Sequence, residues 1–310
     1  MNILLLIDGN AIMHRAFHAI PPFKTKNGIP TNILYGFLGM LLKAIDDFKP
    51  SHIIVLFDTP TPTFRKKLLK EYQSHRPDLV DDFKLQIPIL REMLESANIV
   101  TLDKPGYEAD DVIGTLVEKY KKKMKILIMT GDKDIMQLVQ DNVYVVTPKV
   151  GTSSVTLYGS EEVKTKLGVL PSMIPELKGL MGDPSDNYKG AKGIGPKTAV
   201  SLLDQFGNVE EMLKNTRLIK SERIRNLIAD NIESIRLSKK LATIVTDVPI
   251  ECDITKAHFT HFPQTLAGFL KKYEIKSLSV KIFGPEKIAE KEIKEEKQVA
   301  PKIDQTELFS

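Results

Sequence analysis

Nine carboxylates of this 310-residue chain stand where one fold could gather them into a single site. Asp8 closes the apolar run Ile3-Leu4-Leu5-Leu6-Ile7 and Asp58 closes Ile53-Ile54-Val55-Leu56-Phe57. Asp132 follows Ile126-Leu127-Ile128-Met129-Thr130-Gly131, with Asp134 just beyond it. Glu108, Asp110 and Asp111 lie together after Gly106-Tyr107, and Asp183 and Asp186 lie in Gly182-Asp183-Pro184-Ser185-Asp186-Asn187. On one ledge these acids would repel one another strongly unless cations lay between them. Mg²⁺ prefers oxygen ligands and takes only one or two carboxylates directly, so the set exceeds the needs of one ion and suits two with outer-shell support. Two ions about 4 Å apart can activate a water, hold a phosphate and stabilise a leaving oxygen, which points to phosphodiester hydrolysis. On a helix, Glu108 and Asp111 would share a face, with Asp110 about 100° or more around from each, so the cluster could address one ion directly and another through water.

The elements that must position these acids follow from hydrophobic pattern. Short continuous apolar runs at 3–7, 53–57 and 126–130, separated by helical patterns, read as buried parallel strands of an α/β fold. In open sheets of that kind the ligand crevice lies beyond the carboxyl ends of the strands, where Asp8, Asp58 and Asp132 fall. An Asp after a strand can instead cap the next helix; three such positions with two further acidic clusters favour a shared site. A hydrophobic fraction of 42% supports a sizeable core. Cys252 is the sole cysteine, which leaves no internal disulfide or cysteine zinc site and suits a reducing cytoplasm. No apolar stretch approaches the ~20 residues that span a bilayer, and no basic region precedes the first apolar run, so no membrane association is expected. Net charge is +4 despite the acids, so the remaining surface is basic and suits a polyanion.

Residues 61–95 read as helical and polar, with Arg65, Lys66, Lys67, Lys70 and Arg76 interleaved with Phe64 and Tyr72. Such a run is often only a solvated helix face; placed directly after the Asp58 strand, it would overhang the acids and offer cations to phosphates and rings to bases. From about residue 166 strand signals fade, and Lys192-Gly193-Ile194-Gly195-Pro196-Lys197-Thr198 forms a glycine hairpin leading into a helix. Its glycines let backbone N–H groups approach an anion at the helix N-terminus, and the pattern resembles the helix-hairpin-helix family of DNA-backbone binders. From Pro285 the chain is rich in Lys and Glu and reads as a charged flexible tail or linker over 285–310. Within it, Gln305-Thr306-Glu307-Leu308-Phe309 resembles the peptide by which bacterial replication proteins dock on the sliding clamp, through Gln305, Leu308 and Phe309.

Asp8-Gly9-Asn10, Arg15-Ala16-Phe17-His18-Ala19, Pro30-Thr31-Asn32, Tyr35-Gly36-Phe37, Phe57-Asp58, Glu108-Ala109-Asp110-Asp111, Gly131-Asp132-Lys133-Asp134, Gly182-Asp183 and Ser185-Asp186-Asn187 together resemble the 5′–3′ exonuclease (flap endonuclease) domain of bacterial DNA polymerase I, from residue 1 to about 283. The resemblance implies a PIN-like parallel-sheet core with helices on both faces over 1–165, including a helical arch at about 61–95. A helical helix-hairpin-helix region would follow over 166–284. The implied activity is cutting of 5′ flaps, nicks and single-strand/duplex junctions and removal of RNA from RNA–DNA primer hybrids, with a polymerase domain in the same or another chain. Carried over by position, Asp8, Asp58, Glu108 and Asp110 would hold one Mg²⁺ and Asp132, Asp134 and Asp186 the other, with Mn²⁺ as a substitute. Asp111 and Asp183 would act in the outer shell, Arg76 and Lys178 would contact the scissile phosphate, and Tyr72 would be the arch aromatic. Carbonyls around Gly193 and Gly195 would hold a K⁺ that bridges to DNA.

This sequence departs from that pattern at Tyr72-Gln73, where the family commonly has Tyr-Lys, and at Asn187-Tyr188-Lys189-Gly190, where it usually has Ile-Pro before the Gly. The first departure removes a cation from the site, with Lys70 a nearby substitute; the second adds one. Two other classes are less favoured. A non-catalytic DNA scaffold would gain nothing from nine mutually repelling acids, and an aspartyl-nucleophile phosphatase would need a second Asp where Asn10 stands.

Overall fold

The computed structural model describes residues 2–148 and 155–285. The tail residues Gln305, Leu308 and Phe309 lie outside them. Among the described residues a six-stranded sheet runs in the order β3-β2-β1-β4-β5-β6. Its strands are β1 (Ile3–Asp8), β2 (His52–Leu56), β3 (Val100–Leu102), β4 (Lys125–Met129), β5 (Val143–Pro148) and β6 (Val155–Tyr158). All neighbours pair in parallel except β5 and β6, with Leu5 opposite Ile53 on one side and Leu127 on the other. The strand order reverses between β1 and β4, so the crevice predicted for such a sheet lies at the ends of its middle strands, β2, β1 and β4.

The runs at 3–7, 53–57 and 126–130 are β1, β2 and β4, each shifted by a residue or so at its ends. β3, β5 and β6 were not read from sequence. β3 is three half-buried residues at the sheet edge, and β6 is partly exposed, so neither shows the unbroken apolar run of a strand covered on both faces. Leu4 and Leu6 pack into one hydrophobic core and Leu5 and Ile7 into the other, which is why β1 needs apolar residues at every position.

Helices cover both faces. One layer holds α1 (Gly9–Ala19), α2 (Asn32–Phe48), α5 (Gln86–Ser96), α13 (Gln264–Lys272) and α14 (Lys276–Phe283). The other holds α6 (Ala109–Tyr120), α8 (Ile174–Met181), α9 (Pro196–Phe206), α10 (Val209–Lys214), α11 (Glu222–Ala229) and α12 (Ile232–Ala242), with α7 (Ser160–Leu167) beside β6. The helical region over 166–284 shares one core with the sheet through Leu180, Ile194, Leu202 and Ile235, and its α13 and α14 cross to the opposite layer. One expectation is corrected here. The stretch 61–95 is not one helical arch. It comprises α3 (Phe64–Leu68), a turn over 69–76, an extended segment around Pro77 and the short α4 (Asp81–Lys84), while α5 packs into the core through Leu90, Met93 and Leu94. Pro77 forbids helix at Arg76 and removes a backbone donor, so the helical pattern breaks there.

The glycine hairpin joins α8 to α9. Gly190 packs so tightly that a Cβ would lie 2.3 Å from the Leu180 carbonyl oxygen and 2.5 Å from the Gly182 nitrogen. Backbone cannot give way as a side-chain tip can, so Gly190→Ala is expected to cost about 2–3 kcal/mol of stability in urea unfolding. An unchanged midpoint would contradict this packing.

Candidate active site

Each strand end delivers its acid already hydrogen-bonded. Asp8, 4% exposed, caps α1 by accepting from the Ala11 N–H at 2.9 Å, and its other oxygen accepts from the Thr130 hydroxyl at 2.7 Å. Asp58 accepts from the Ala109 N–H at 2.7 Å, so it steadies the N-terminus of α6 from a different strand, and its own N–H donates to Asn10 Oδ1 at 3.1 Å. The Asp132 N–H donates to Thr130 Oγ1 at 2.9 Å, and Asp132 Oδ1 accepts from the Asp134 N–H at 2.8 Å. Capping of the next helix is therefore true of Asp8, while all three acids converge on one pocket. Each carboxylate keeps further lone pairs for a cation.

The start of α6 supplies Glu108 and Asp110. Glu108 is the N-cap, and its N–H is closed by Asp111 Oδ2 at 3.1 Å in a capping box. Asp111 itself is turned away from the ledge. It is fully buried and holds the Arg65 guanidinium in a fork of 2.7 and 2.9 Å. This corrects one sequence expectation, because Arg65, 2% exposed, is withdrawn from DNA, while Asp111 stands behind the ledge against the Glu108 N–H.

The third group lies on Asp134, Asp183 and Asp186, each of which offers an oxygen within 4.8 Å of the others. Lys178 reaches both Asp134 and Asp183, so this ammonium, expected at a phosphate, is engaged with the acids themselves. Asp183 also accepts from Ser185, N–H and hydroxyl, and does not line the central pocket. The turn over 69–76 descends onto Asp186: Gln73 Nε2 donates to Asp186 Oδ1 at 3.1 Å, and Arg76 pairs with the same oxygen. Tyr72, expected as the arch aromatic, is buried and stacks on Tyr188. Its hydroxyl lies 3.3 Å from Glu108 Oε2 and 3.2 Å from Asp186 Oδ2 and serves one at a time.

The result is a pocket of about 340 Å³ lined by Asp8, Asp58, Glu108, Asp110, Asp132, Asp134 and Asp186, with Arg65, Lys66 and Arg76 as its cations. Seven acids against three bases leave it strongly negative when all are ionised. Burial, with Asp58 and Asp132 adding repulsion against the Ala11 and Thr130 hydrogen bonds, pushes Asp8 up to about 7. Burial likewise carries Glu108 to about 7 against the pull of Arg65. Asp134 rises to about 7 by burial and by Asp132, despite Lys178. Asp110 is pushed well above the usual carboxylate range by burial and its acidic neighbours. Burial also opposes ionisation of Asp183, yet Lys178 and Ser185 outweigh it and hold that acid low. An all-oxygen, carboxylate-rich donor set of this kind fits hard divalent cations.

Around the pocket, Lys66 is half-buried on its wall, and Lys67 and Lys70 are exposed. In the hairpin, Gly193 adopts φ +97°, a left-handed conformation that favours glycine, and Gly195 N-caps α9 ahead of Pro196. Lys192, Gly193, Gly195 and Lys197 are exposed and Thr198 is half-buried, so the loop is open to a partner. Sequence reasoning missed Thr130, Thr63 and His14. Thr130 bridges Asp8 and Asp132, Thr63 donates to Glu108 Oε1 at 3.2 Å, and His14 lines the pocket. Thr130 sat inside the quoted strand-end run, but a hydroxyl one turn away from an acid carries no distinguishing signal in a sequence.

Comparison with known proteins follows the same division. Residues 3–168 match the family described as 5′-3′ exonuclease, N-terminal resolvase-like domain, and residues 169–265 match 5′-3′ exonuclease, C-terminal SAM fold. The chain is 42% identical over 252 residues to a 5′-3′ exonuclease of Aquifex aeolicus, covering 81% of this chain and 84% of that one. It is 39% identical over 311 residues to DNA polymerase I of Caldicellulosiruptor bescii, covering 99% of this chain and 36% of that protein. It thus spans about a third of the length of that relative. A bacteriophage T5 flap endonuclease in a pseudo-enzyme-product complex with DNA and metal ions shares the fold, with TM-score 0.68 at 18% identity over 88% of this chain and all of that one (100%). So does the catalytic core of Rad2 in complex with DNA substrate, with TM-score 0.59 at 18% identity over 91% of each chain.

The raised acids give a pH signature. Between the ordinary carboxylate range near 4 and the value of about 7 for Asp8, Glu108 and Asp134, the folded chain binds more protons than the unfolded one, so stability falls as pH rises. The Tm of metal-free protein is expected to drop from pH 5.5 to pH 8, and a divalent cation to restore more of it at pH 8, where it displaces fewer protons. A Tm that rises with pH over that window in chelator would contradict the assignment.

Proposed function

The chain belongs to the 5′-3′ exonuclease family, and on that footing we propose that it is a structure-selective 5′ nuclease that hydrolyses DNA phosphodiesters at 5′ flaps, nicks and single-strand/duplex junctions and removes RNA from RNA–DNA primer hybrids in replication and repair. The observation that carries this reading is the meeting of seven carboxylates, from separated stretches of chain, in one pocket rimmed by Arg76 and Lys66. The family supplies the reaction class, and the pocket supplies the residues.

Two divalent ions, Mg²⁺ with Mn²⁺ as substitute, are the proposed cofactors. Asp8, Asp58, Glu108 and Asp110 would hold one, and Asp132, Asp134 and Asp186 the other, with Asp183 behind. Bound there, the ions would supply an acidified water and positive charge for the phosphate. The protein's own share is orientation and neutralisation. Thr130, Asn10 and the N–H groups of Ala11 and Ala109 fix the strand-end acids. Arg76 has a half-exposed side chain beside Asp186, within reach of a phosphate oxygen that displaces it from that acid. Lys178 steadies Asp134 and Asp183. Tyr72 keeps its proton, because burial and the adjacent Glu108 and Asp186 push its phenol upward, and it closes the pocket floor under the turn.

Lys67 and Lys70 would meet the DNA backbone at the pocket mouth, and Lys192, Gly193, Gly195, Lys197 and Thr198 would grip the duplex through backbone N–H groups and ammonium charge without reading bases. A K⁺ at carbonyls around Gly193 and Gly195 would extend that grip. A polymerase domain, in the same or another chain, is the proposed partner, since the relatives include proteins named DNA polymerase I. Clamp docking through Gln305, Leu308 and Phe309 and a cytoplasmic location belong to the same reading. Among the described residues no helix is long and apolar enough to cross a membrane.

With end-labelled 5′-flap DNA and Mg²⁺, cleavage near the junction is expected, and Asp132→Ala should lower the rate about a thousand-fold or more while duplex affinity stays within about three-fold. Cutting that persists in excess chelator would overturn the metal assignment. Gln73→Lys, which places a cation beside Asp186, is expected to raise the single-turnover rate several-fold. An unchanged or lower rate would show that Arg76 already meets the need.

A further inference from the structure

Behind the carboxylate ledge, three pieces of chain meet on one buried ion pair. Arg65 lies in α3 at the base of the overhanging segment. Beyond its fork onto Asp111, its Nε donates to the Leu241 carbonyl at 2.8 Å and its Nη2 to the Thr243 carbonyl at 3.0 Å, at the end of α12. Asp111 also accepts from the Val245 N–H at 2.9 Å. The strap over 241–248 is stitched to both acid-bearing elements. Gln137, within the 3₁₀ turn Asp134–Leu138, donates from Nε2 to the Ala242 carbonyl at 3.0 Å and accepts at Oε1 from the Ile244 N–H at 2.9 Å. The Val248 N–H donates to Thr115 Oγ1 on α6 at 3.0 Å.

The pair also touches the chemistry at one remove. Arg65 Nη1 lies 3.5 Å from Glu108 Oε2, and the Glu108 N–H is closed by Asp111, so both side chain and backbone of that acid are set by this pair. On the far side, α12 is docked on α8 with Lys239 paired to Glu176 at 2.7 Å, and α8 leads directly into the glycine hairpin. A guanidinium suits this junction because its planar fork serves two carboxylate oxygens and two carbonyls at once, which an ammonium cannot do.

Resting on the two-ion reading above, we propose that Arg65 and Asp111 are positioning residues that lock the N-terminus of α6 to the strap, so that the orientation of Glu108 and Asp110 toward their ion depends on the docking of the hairpin-bearing helices. By linkage, a cation in the pocket and a closed strap stabilise one another.

Mn²⁺ titration followed by electron paramagnetic resonance, on the full chain, tests this without DNA. Arg65→Lys keeps the charge and loses the fork. It is expected to weaken Mn²⁺ binding roughly ten-fold. In wild-type protein, which needs no substitution, hydrogen exchange of the 244, 245 and 248 amides should slow when Mn²⁺ is added, and in Arg65→Lys that slowing should shrink. Mn²⁺ affinity equal to wild type in a folded Arg65→Lys protein, or strap exchange indifferent to Mn²⁺ in wild type, would overturn the coupling. Wild-type protein that binds no Mn²⁺ in the pocket would instead overturn the two-ion reading itself.

Discussion

Like charge gathered at the carboxyl end of a parallel sheet is the constraint on which this structure turns. Unit charges 4 Å apart repel by about 4 kcal/mol at an effective dielectric of 20, and seven carboxylates line this one pocket. The fold limits the cost by aiming dipoles at the acids: helix N-terminal amides reach Asp8 and Asp58, a hydroxyl reaches Asp8, and Lys178 sits between Asp134 and Asp183. Burial first, and the acidic neighbours with it, outweigh these donors and push Asp8, Glu108, Asp110 and Asp134 upward. The remaining charge deficit is what a divalent cation, and behind it a phosphate, would fill.

The deficit explains why the rest of the chain is arranged as it is. The turn over 69–76 brings Gln73, Arg76 and the Tyr72 hydroxyl to Asp186, covering part of the negative surface with donors that a substrate could displace. The strap over 241–248 does the opposite work from below, tying α6 and the Asp134 turn to α12 so that the acids cannot drift apart to relieve their repulsion. Displaceable donors above and fixed ones beneath are what a site needs if it must admit a polyanion yet keep ligand geometry.

Much of this was legible in the sequence because strand ends are marked twice, by an apolar run and by the acid that closes it. Asp8, Asp58 and Asp132 follow from that rule, and the Gly193-Ile194-Gly195 hairpin from the backbone freedom of glycine. What escaped was partnership across long sequence separation. Arg65 looked like its neighbours Lys66 and Lys67, yet only it finds Asp111 and the end of α12, and burial separates it from them. Asp111 looked like Asp110, but one residue of helix rotation turns it inward. The arch boundary failed for a related reason: α5 carries an apolar face that packs on α2 and α13, and nothing local to 86–96 announces partners that lie far away in the chain.

The most direct test is a crystal structure of the protein soaked in Mn²⁺, read by anomalous scattering. The account predicts two peaks in the central pocket, one among Asp8, Asp58, Glu108 and Asp110 and one among Asp132, Asp134 and Asp186. Peaks confined to the outer surface at a Mn²⁺ concentration that supports cleavage would contradict it.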